Sequence, residues 1–248
     1  MPRFFIENID KNPGDSITVT GQDAVHIAKS LRMKAGESLT VCGGLGFDMQ
    51  CEIAGIYGDT VALNVIRKIP TESEPSVRIT LYQGLPKGDK LELIIEKTIE
   101  LGVYGIVPVL MQRSVSRPDA KSSARKQERY QKQAESAAKQ CGRGIIPTVG
   151  KMIGFSEMLA NLKKHQAVIF FYECGGEPLS YVVEKIKTDS ATDIAIVIGP
   201  EGGFDPAEAQ ALRESGAFTA TLGKRILRTE TAPIAAMAAI MYATGNME

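Results

Sequence analysis

The stretch IVIGPEGGF, residues 196–204, runs from an apolar strand-like segment into a turn with three glycines, one proline and one carboxylate. Gly202 and Gly203 allow positive φ and lack the Cβ that would keep a ligand away from main-chain amides. The next residues, DPAE at 205–208, form a capping-box signal for the start of a helix. The turn is therefore strongly specified, either as a tight strand-to-helix connection or as a cradle for a flat or phosphate-like ligand. Its spacing matches neither the dinucleotide fingerprint nor the P-loop, so both of those nucleotide sites lose their main support.

A second loop near the end of the chain, LGKRILRTETAP at 222–233, mixes apolar and cationic residues. Three of its apolar side chains are suited to wall a slot, and three cations lie among them: Leu222, Ile226 and Leu227, with Lys224, Arg225 and Arg228. Thr229 or Thr231 is placed to cap the last helix ahead of Pro233. A plain capping loop with solvated basic side chains fits the same residues, and this alternative stays open on the loop alone.

Strand-like and helix-like periods alternate from about residue 77 to the end of the chain. This alternation indicates an α/β fold with a parallel sheet covered by helices on both faces. Ligands on such sheets bind beyond the carboxyl ends of the strands, and both loops lie at such ends.

The first 70 residues have a different character. Five short strand-like runs surround one helical stretch, DAVHIAKSLRM at 23–33, which suggests a small β-barrel. The polar, proline-bearing PTESEPS at 70–76 has the composition of a domain linker. We therefore expect two domains, residues 1–72 and residues 73–248.

Charge balance, apolar content and cysteine spacing limit the classes of protein that fit this sequence. Lys plus Arg and Asp plus Glu both number 29 among 248 residues, so a polyanionic partner must be met by a local basic patch. No apolar run approaches the roughly 18 residues that span a bilayer, so we expect a soluble, cytoplasmic protein with no membrane partner. The cysteines show no C-x-x-C spacing and only two histidines accompany them, which favours reduced structural thiols and no bound metal. These cysteines are Cys42, Cys51, Cys141 and Cys174.

The two late loops together, GPEGGF and LGKRILRTETA, resemble the paired signature of the SPOUT superfamily of S-adenosylmethionine-dependent RNA methyltransferases. Within that superfamily the chain resembles the bacterial small-subunit (16S) ribosomal RNA uridine nitrogen-3 methyltransferase family along nearly its whole length. The other matching segments are RFF at 3–5, HIAKSLRMKAGE at 26–37, QGLPKGDKLELIIEKTIELGV at 83–103, RSV at 113–115 and QCGRGIIP at 140–147. One departure is Lys139, where the family usually has a glutamate.

The resemblance implies a trefoil knot in the second domain, although knots are rare enough that periodicity alone would exclude one. It implies a PUA-like β-barrel for the first domain and S-adenosylmethionine as the methyl donor. The cofactor residues that it implies are Gly199, Pro200, Glu201, Gly202, Leu222, Gly223, Ile226 and Leu227. It also implies a homodimer, for which the apolar last helix, APIAAMAAIMYATG, is a candidate surface; composition alone allows burial of this helix within the domain as well.

Methylation of the uracil imide nitrogen requires loss of its proton, and hence a base or a group that stabilises negative charge. Arg228 is our candidate for stabilising charge on the uracil carbonyl oxygens, because arginine stays cationic and offers several donors. Glu230 is a weaker candidate for accepting the proton. A phosphate contact or an ion pair that supports the helix is the alternative for Arg228.

The segment 117–143 carries eight Lys or Arg against three Asp or Glu. On a helix, Lys121, Arg125, Arg129 and Lys132 fall near one face, which suits a phosphate backbone or is simply solvated. With the resemblance we expect ribosomal RNA as the partner and a uridine turned out of its stack into the cofactor site. The RNA contacts expected are Arg3, Arg32, Arg113, Arg125, Arg129 and Arg143.

The sequence leaves two other functions open. The cofactor loops are shared among SPOUT enzymes that methylate other RNA positions, so they discriminate poorly between these reactions. A non-catalytic RNA-binding module is the second alternative, against which the intact glycines and the ILRTETA segment argue.

Overall fold

The computed structural model describes residues 1–6, 9, 14–44 and 46–248. The chain divides into two compact units. Unit 1 contains Met1–Glu74 together with Ala138–Ile146, and unit 2 contains Pro75–Ala137 together with Pro147–Glu248. No helix of the described residues is long and apolar enough to cross a membrane.

Unit 1 is a five-stranded sheet in the order β1-β3-β4-β5-β2. Its strands are β1 Arg3–Phe5, β2 Ser16–Thr20, β3 Ser38–Cys42, β4 Phe47–Tyr57 and β5 Thr60–Pro70. The β1–β3 pair is parallel and the other pairs are antiparallel. Helix α1 (Gly21–Val25) continues into a π-helical stretch, His26–Ser30. The five strands around one helical stretch agree with the expectation from the sequence, because each strand alternates apolar residues that face a common core.

The partly buried carboxylate of Glu74 helps to hold residues 138–146 in unit 1. Glu74 accepts hydrogen bonds from the Arg143 guanidinium at 2.7 Å and from the main-chain N–H groups of Gly144 and Ile145 at 2.8 and 3.2 Å. The Arg143 side chain is only 4% exposed, so its charge is compensated inside the protein. This segment therefore belongs to the packing of unit 1 although it is remote from it in sequence.

Unit 2 is built on an eight-stranded sheet in which every recorded strand pair is parallel. Its strands are β6 Arg78–Gly84, β7 Gly105–Leu110, β8 Thr148–Val149, β9 Ile153–Gly154, β10 Ala167–Phe171, β11 Glu177–Pro178, β12 Asp193–Ile198 and β13 Phe218–Thr221. They lie in the order β11-β13-β10-β12-β6-β7-β8, and β9 also pairs with β7. The helices are α2 Lys90–Glu100, α3 Ala120–Cys141, α4 Phe155–Leu162, α5 Leu179–Thr188, α6 Pro206–Glu214 and α7 Thr231–Ala243, and the last four residues of α3 belong to unit 1.

The sequence explains why β12 lies inside this sheet. Five of its six residues are buried, and a strand that is apolar on both faces needs helices on both sides. The parallel sheet flanked by helices that the alternation predicts is confirmed, and it follows a small five-stranded unit as expected. Because the strands are parallel, β6, β10, β12 and β13 all end at one edge of the sheet, and the loops that follow them meet there.

Candidate functional site

A cavity of about 480 Å³ lies at this edge of unit 2. Its walls come from the loops after β10, β12 and β13 and from the first residue of α2. All eight residues expected to bind the cofactor line it: Gly199, Pro200, Glu201, Gly202, Leu222, Gly223, Ile226 and Leu227. The volume falls in the range of about 300–1,000 Å³ that is typical of small-molecule sites. Two loops that are separated in sequence thus form one binding cleft.

The first loop, residues 199–205, is fixed by close main-chain packing. A Cβ placed on Gly84, the last residue of β6, would lie 2.5 Å from the Pro200 nitrogen, so the two backbones touch. At the other end of the loop, Asp205 accepts a hydrogen bond from the Ala207 N–H, and the Glu208 carboxylate accepts one from the Asp205 N–H. The predicted capping box is confirmed. The loop is therefore clamped at both ends before any ligand binds.

Glycine occupies the two adjacent positions of this loop for different structural reasons. Gly203 adopts φ of 67°, as the sequence suggested. Gly202 does not adopt a positive φ; a Cβ there would instead lie 3.0 Å from the Arg113 Cβ. Arg113 also donates a hydrogen bond from Nη1 to the Gly202 carbonyl at 3.0 Å. The reason for glycine at position 202 is thus the close approach of Arg113 rather than the conformation of Gly202 itself.

A buried amide connects the two loops beneath the cleft. The Gln83 Nε2 donates to the Thr229 Oγ1 at 3.1 Å and lies 3.4 Å from the Gly199 carbonyl, while the Thr229 hydroxyl donates to that carbonyl at 2.9 Å. Gln83 is fully buried, and its Oε1 has no hydrogen-bond partner among the described residues. The expectation that Thr229 or Thr231 caps α7 is wrong, because the Thr229 hydroxyl is engaged by Gly199 and no side chain caps this helix.

The second loop presents both apolar and cationic side chains to the cleft. Gly223 adopts φ of 96°, which turns the chain after β13. Ile226 is 78% exposed and Leu227 is half-buried, so an apolar surface faces the cavity. Arg225 and Arg228 also line it, and both are exposed. Within the described part of the chain, the Arg228 guanidinium makes no recorded ion pair, which leaves its donors available to a ligand.

Three charged groups from three segments meet beside the cavity. The Lys90 Nζ lies 3.0 Å from the Glu201 Oε1 and 3.3 Å from the Glu230 Oε2. The hydrogen bond to Glu201 raises the pKa of Lys90, and a further bond to Glu230 adds to this although partial burial opposes it. Burial disfavours ionisation of Glu201, but the bonds from Lys90 and from main-chain N–H groups outweigh it and lower the pKa of Glu201. Lys90 and Glu201 are therefore both charged at neutral pH. Glu230 itself is adjacent to the cavity wall rather than part of it.

Sequence reasoning missed the residues at the carboxyl end of β10 and directly after it. Phe171, Tyr172 and Glu173 line the cavity, and the Glu173 Oε1 accepts a hydrogen bond from the Phe204 N–H at 3.1 Å. The rule that ligands bind at the carboxyl ends of parallel strands applies to β10 as well, and it was the signal that could have found them. Lys90 was also missed; its position in the first turn of a helix, where a cation is unfavourable, was the available signal.

The arginines expected to contact RNA fall into two groups. Arg125 and Arg129 are exposed on α3, on the face that also exposes Lys121 and Lys132, as the spacing predicted. Arg32 is exposed in unit 1 with φ of 54°, and Arg113 is 43% exposed beside the first cleft loop.

Arg3 and Arg143 are engaged within unit 1. Arg143 is buried against Glu74, so its placement argues against a direct RNA contact. Arg3 donates to both carboxylate oxygens of Asp48 at 2.9 and 3.0 Å and to the Arg143 carbonyl at 3.0 Å. Both guanidinium groups thus bond to partners within unit 1, and the RNA contacts expected of them stay predictions.

Neither metal ligands nor disulfides enter the site. Among the described residues, no group of three or more His, Cys, Asp or Glu side chains is arranged to hold a metal ion. The four cysteines are free; Cys42 and Cys51 are buried and Cys174 is exposed.

Comparison with known proteins gives consistent matches over the whole chain. Residues 72–241 match the RNA methyltransferase domain family, and residues 19–66 match the RNA methyltransferase PUA domain family. The chain is 36% identical to "Ribosomal RNA small subunit methyltransferase E" of Bacillus subtilis, over 98% of this chain and 97% of that protein. A solved ribosomal RNA small subunit methyltransferase E from Neisseria gonorrhoeae, bound to S-adenosyl methionine, is 31% identical with a TM-score of 0.81 and covers 98% of this chain and 97% of its own. A Legionella pneumophila protein solved with bound SAM is 27% identical, with a TM-score of 0.79 and 97% of each chain covered.

Proposed function

The chain belongs to the ribosomal RNA small subunit methyltransferase E family, and from this premise we propose that it transfers a methyl group from S-adenosylmethionine to ring nitrogen-3 of a uridine in small-subunit (16S) ribosomal RNA. Membership makes it an RNA methyltransferase. The observation that carries the cofactor part of the proposal is that all eight expected residues line one cavity. The choice of uridine nitrogen-3 rests on the full-length resemblance and is the part that needs experiment.

The residues of the cleft fit S-adenosylmethionine. Main-chain atoms of Gly199, Gly202 and Gly223 line the walls, and at Gly223 a Cβ would meet nothing within 4 Å, which suits an adenine that is read by backbone amides and carbonyls. Leu222, Ile226 and Leu227 offer apolar contact to the adenosine. When bound, the cofactor supplies an electrophilic methyl group on a sulfonium centre. The related protein from N. gonorrhoeae, solved with S-adenosyl methionine, supports the same assignment here.

In the proposed reaction, this chain orients the uracil and stabilises the charge that develops as its imide proton leaves. Arg228 is exposed at the cleft and makes no recorded ion pair with the described residues, so its guanidinium is available to the uracil carbonyl oxygens. Glu230, two residues further on, is the proposed proton acceptor. Because the Glu230 carboxylate is engaged by Lys90, we assign the larger share of the rate enhancement to Arg228.

Basic residues of both units supply the proposed RNA contacts. Arg125 and Arg129 on α3 suit a phosphate backbone, and Arg32 in unit 1 adds a further exposed cation. The Arg113 guanidinium bonds to the first cleft loop and so lies beside the cleft. We propose that it contacts RNA at this place. Such contacts position the RNA, while the cleft selects the base. A ribosomal substrate agrees with the cytoplasmic location that the sequence predicts.

We also propose the trefoil knot and the homodimer. Thr229 is buried against Gly199 and Gln83, which supports a carboxyl-terminal segment threaded behind the first cleft loop. Helix α7 consists mostly of small and apolar residues, and its Tyr242 is 71% exposed. This exposed aromatic residue supports the use of α7 as a subunit interface. A monomeric mass by light scattering at micromolar concentration would refute the dimer.

The reaction is tested with Arg228→Ala, and with Arg225→Ala as the matched control from the same loop. We expect Arg228→Ala to bind S-adenosylmethionine within twofold of wild type in calorimetry and to lose at least about 100-fold in methyl transfer to small ribosomal subunits. Near-normal turnover of Arg228→Ala would remove this residue from the mechanism, and an equal loss in both variants would show a general effect of loop charge.

A further inference from the structure

Lys90 has partners on both sides of the cleft. Its ammonium lies within 3.3 Å of a Glu201 oxygen from the loop after β12 and of a Glu230 oxygen from the segment before α7. Lys90 itself is the first residue of α2 and lines the cavity. Three segments that are distant in sequence are therefore joined through one nitrogen atom.

The position of Lys90 is unfavourable for its own helix. The amino-terminal turn of a helix carries a partial positive charge, so a cation there is disfavoured by the macrodipole. Lys97 on the same helix shows the ordinary arrangement, since it lies in the last turn and bridges Glu96 and Glu100 of its own helix at 2.7 and 2.8 Å. Helix stability therefore does not explain why a lysine stands at position 90, whereas its pairing with two distant carboxylates does.

Removing the ammonium would leave two carboxylates facing each other. The Glu201 and Glu230 side chains are 29% and 17% exposed, so their repulsion is screened by solvent less than on an open surface. The Glu230 Oε2 is buried, and the Lys90 ammonium at 3.3 Å is the one cation paired with it among the described residues. Glu201 would keep the Lys87 N–H, at 3.0 Å, while Glu230 would keep no recorded partner.

We infer that Lys90 is a positioning residue that sets the spacing of the two cleft loops by compensating one carboxylate from each. The cofactor-binding consequence rests on the proposed function; the effect on the loops does not. The Lys90 side chain is 35% exposed, so its electrostatic effect should decrease as ionic strength rises. Lys90 does not contact the reacting atoms in this account, and its loss acts through the geometry of the loops.

The test compares Lys90→Met with Lys97→Met. The control also removes an ammonium of similar exposure that pairs with two carboxylates, but both of those carboxylates lie on its own helix. We expect hydrogen–deuterium exchange of the amides in 199–204 and 222–230 to accelerate at least fivefold in Lys90→Met and less than twofold in Lys97→Met. Calorimetry should show about tenfold weaker binding of S-adenosylmethionine by Lys90→Met and an unchanged Kd for Lys97→Met. Raising the salt concentration to 1 M should narrow the difference between wild type and Lys90→Met.

Two further variants separate positioning from simple loss of stability. Lys90→Arg keeps the charge and should bind S-adenosylmethionine within threefold of wild type. The double variant Lys90→Met/Glu230→Gln removes one of the two repelling charges, so it should recover most of the affinity and most of the exchange protection. A merely structural lysine would give additive losses in this double variant, and that outcome would overturn the inference.

Failure of this inference is distinguishable from failure of the proposed function. If wild type does not bind S-adenosylmethionine, the proposed cofactor is wrong, and the exchange experiment still decides the role of Lys90. If wild type binds it while Lys90→Met shows unchanged exchange and affinity, the inference about Lys90 is wrong and the cofactor assignment stands.

Discussion

Replacement of Gly84 by alanine should weaken cofactor binding while leaving the protein folded. Gly84 ends β6 and packs against the first cleft loop, and a Cβ there would lie 2.5 Å from the Pro200 nitrogen and 2.8 Å from the Gly199 carbonyl carbon. Both atoms belong to the backbone of the loop, so no side-chain rotation relieves the contact. The loop or the end of the strand must move.

The structure sets the size of this movement and of its cost. Real Cβ contacts begin at 3.0 Å and are common from 3.4 Å, so the atoms must separate by roughly 0.5–0.9 Å. Overpacking of this kind typically costs about 1–3 kcal/mol. If cofactor binding requires the loop to return to its wild-type position, this cost is paid on binding and Kd rises by about 5- to 140-fold, since each 1.4 kcal/mol is about tenfold.

The assay is calorimetric titration of wild type and Gly84→Ala with S-adenosylmethionine, together with thermal melts. Gly154→Ala is the control, because a Cβ there meets nothing within 4 Å and the backbone is not in the left-handed region. We expect Gly154→Ala to bind like wild type. Unchanged affinity in a folded Gly84→Ala would refute the reasoning that the β6 end fixes the geometry of the cleft.

Three further predictions concern stability, RNA binding and thiol chemistry. Arg143→Ala leaves Glu74 without its buried partner and should destabilise unit 1 by about 3–5 kcal/mol in denaturant unfolding; a change under 1 kcal/mol would contradict its structural role. Arg125→Glu on the exposed face of α3 should weaken binding to small ribosomal subunits and flatten the salt dependence, with unchanged S-adenosylmethionine affinity, as filter binding and calorimetry would show. Burial raises the pKa of the Cys51 thiol to about 11, so at pH 8 it should stay unreactive to a thiol reagent while the exposed Cys174 reacts, and rapid labelling of Cys51 in folded protein would contradict this.

Local signals in the sequence predicted much of the fold and of the cleft. The capping box at Asp205 and Glu208 is a property of four consecutive residues, and it forms as expected. The exposed charges of α3 follow from helical spacing in the same way. The two loops that wall the cavity could be placed together because parallel strands end at one edge of the sheet.

Contacts between remote residues were not predictable from local pattern. Gln83 bonds to Thr229, which is 146 residues away, and this contact takes the hydroxyl that a capping argument would assign to α7. The basic segment around Arg143 suggests a surface cation, yet in the structure Arg143 is buried and paired with Glu74, 69 residues earlier. In each case a buried polar group needs a partner, and the sequence does not say which one it finds.

The central claim is tested most directly by identifying the methylated nucleoside. Purified protein is incubated with S-adenosylmethionine that carries a labelled methyl group and with small ribosomal subunits lacking the modification; the ribosomal RNA is then digested and its nucleosides are separated by mass spectrometry. We predict labelled 3-methyluridine, absent when Arg228→Ala replaces wild type. Label in another nucleoside, or none although wild type binds S-adenosylmethionine, would contradict the proposed reaction.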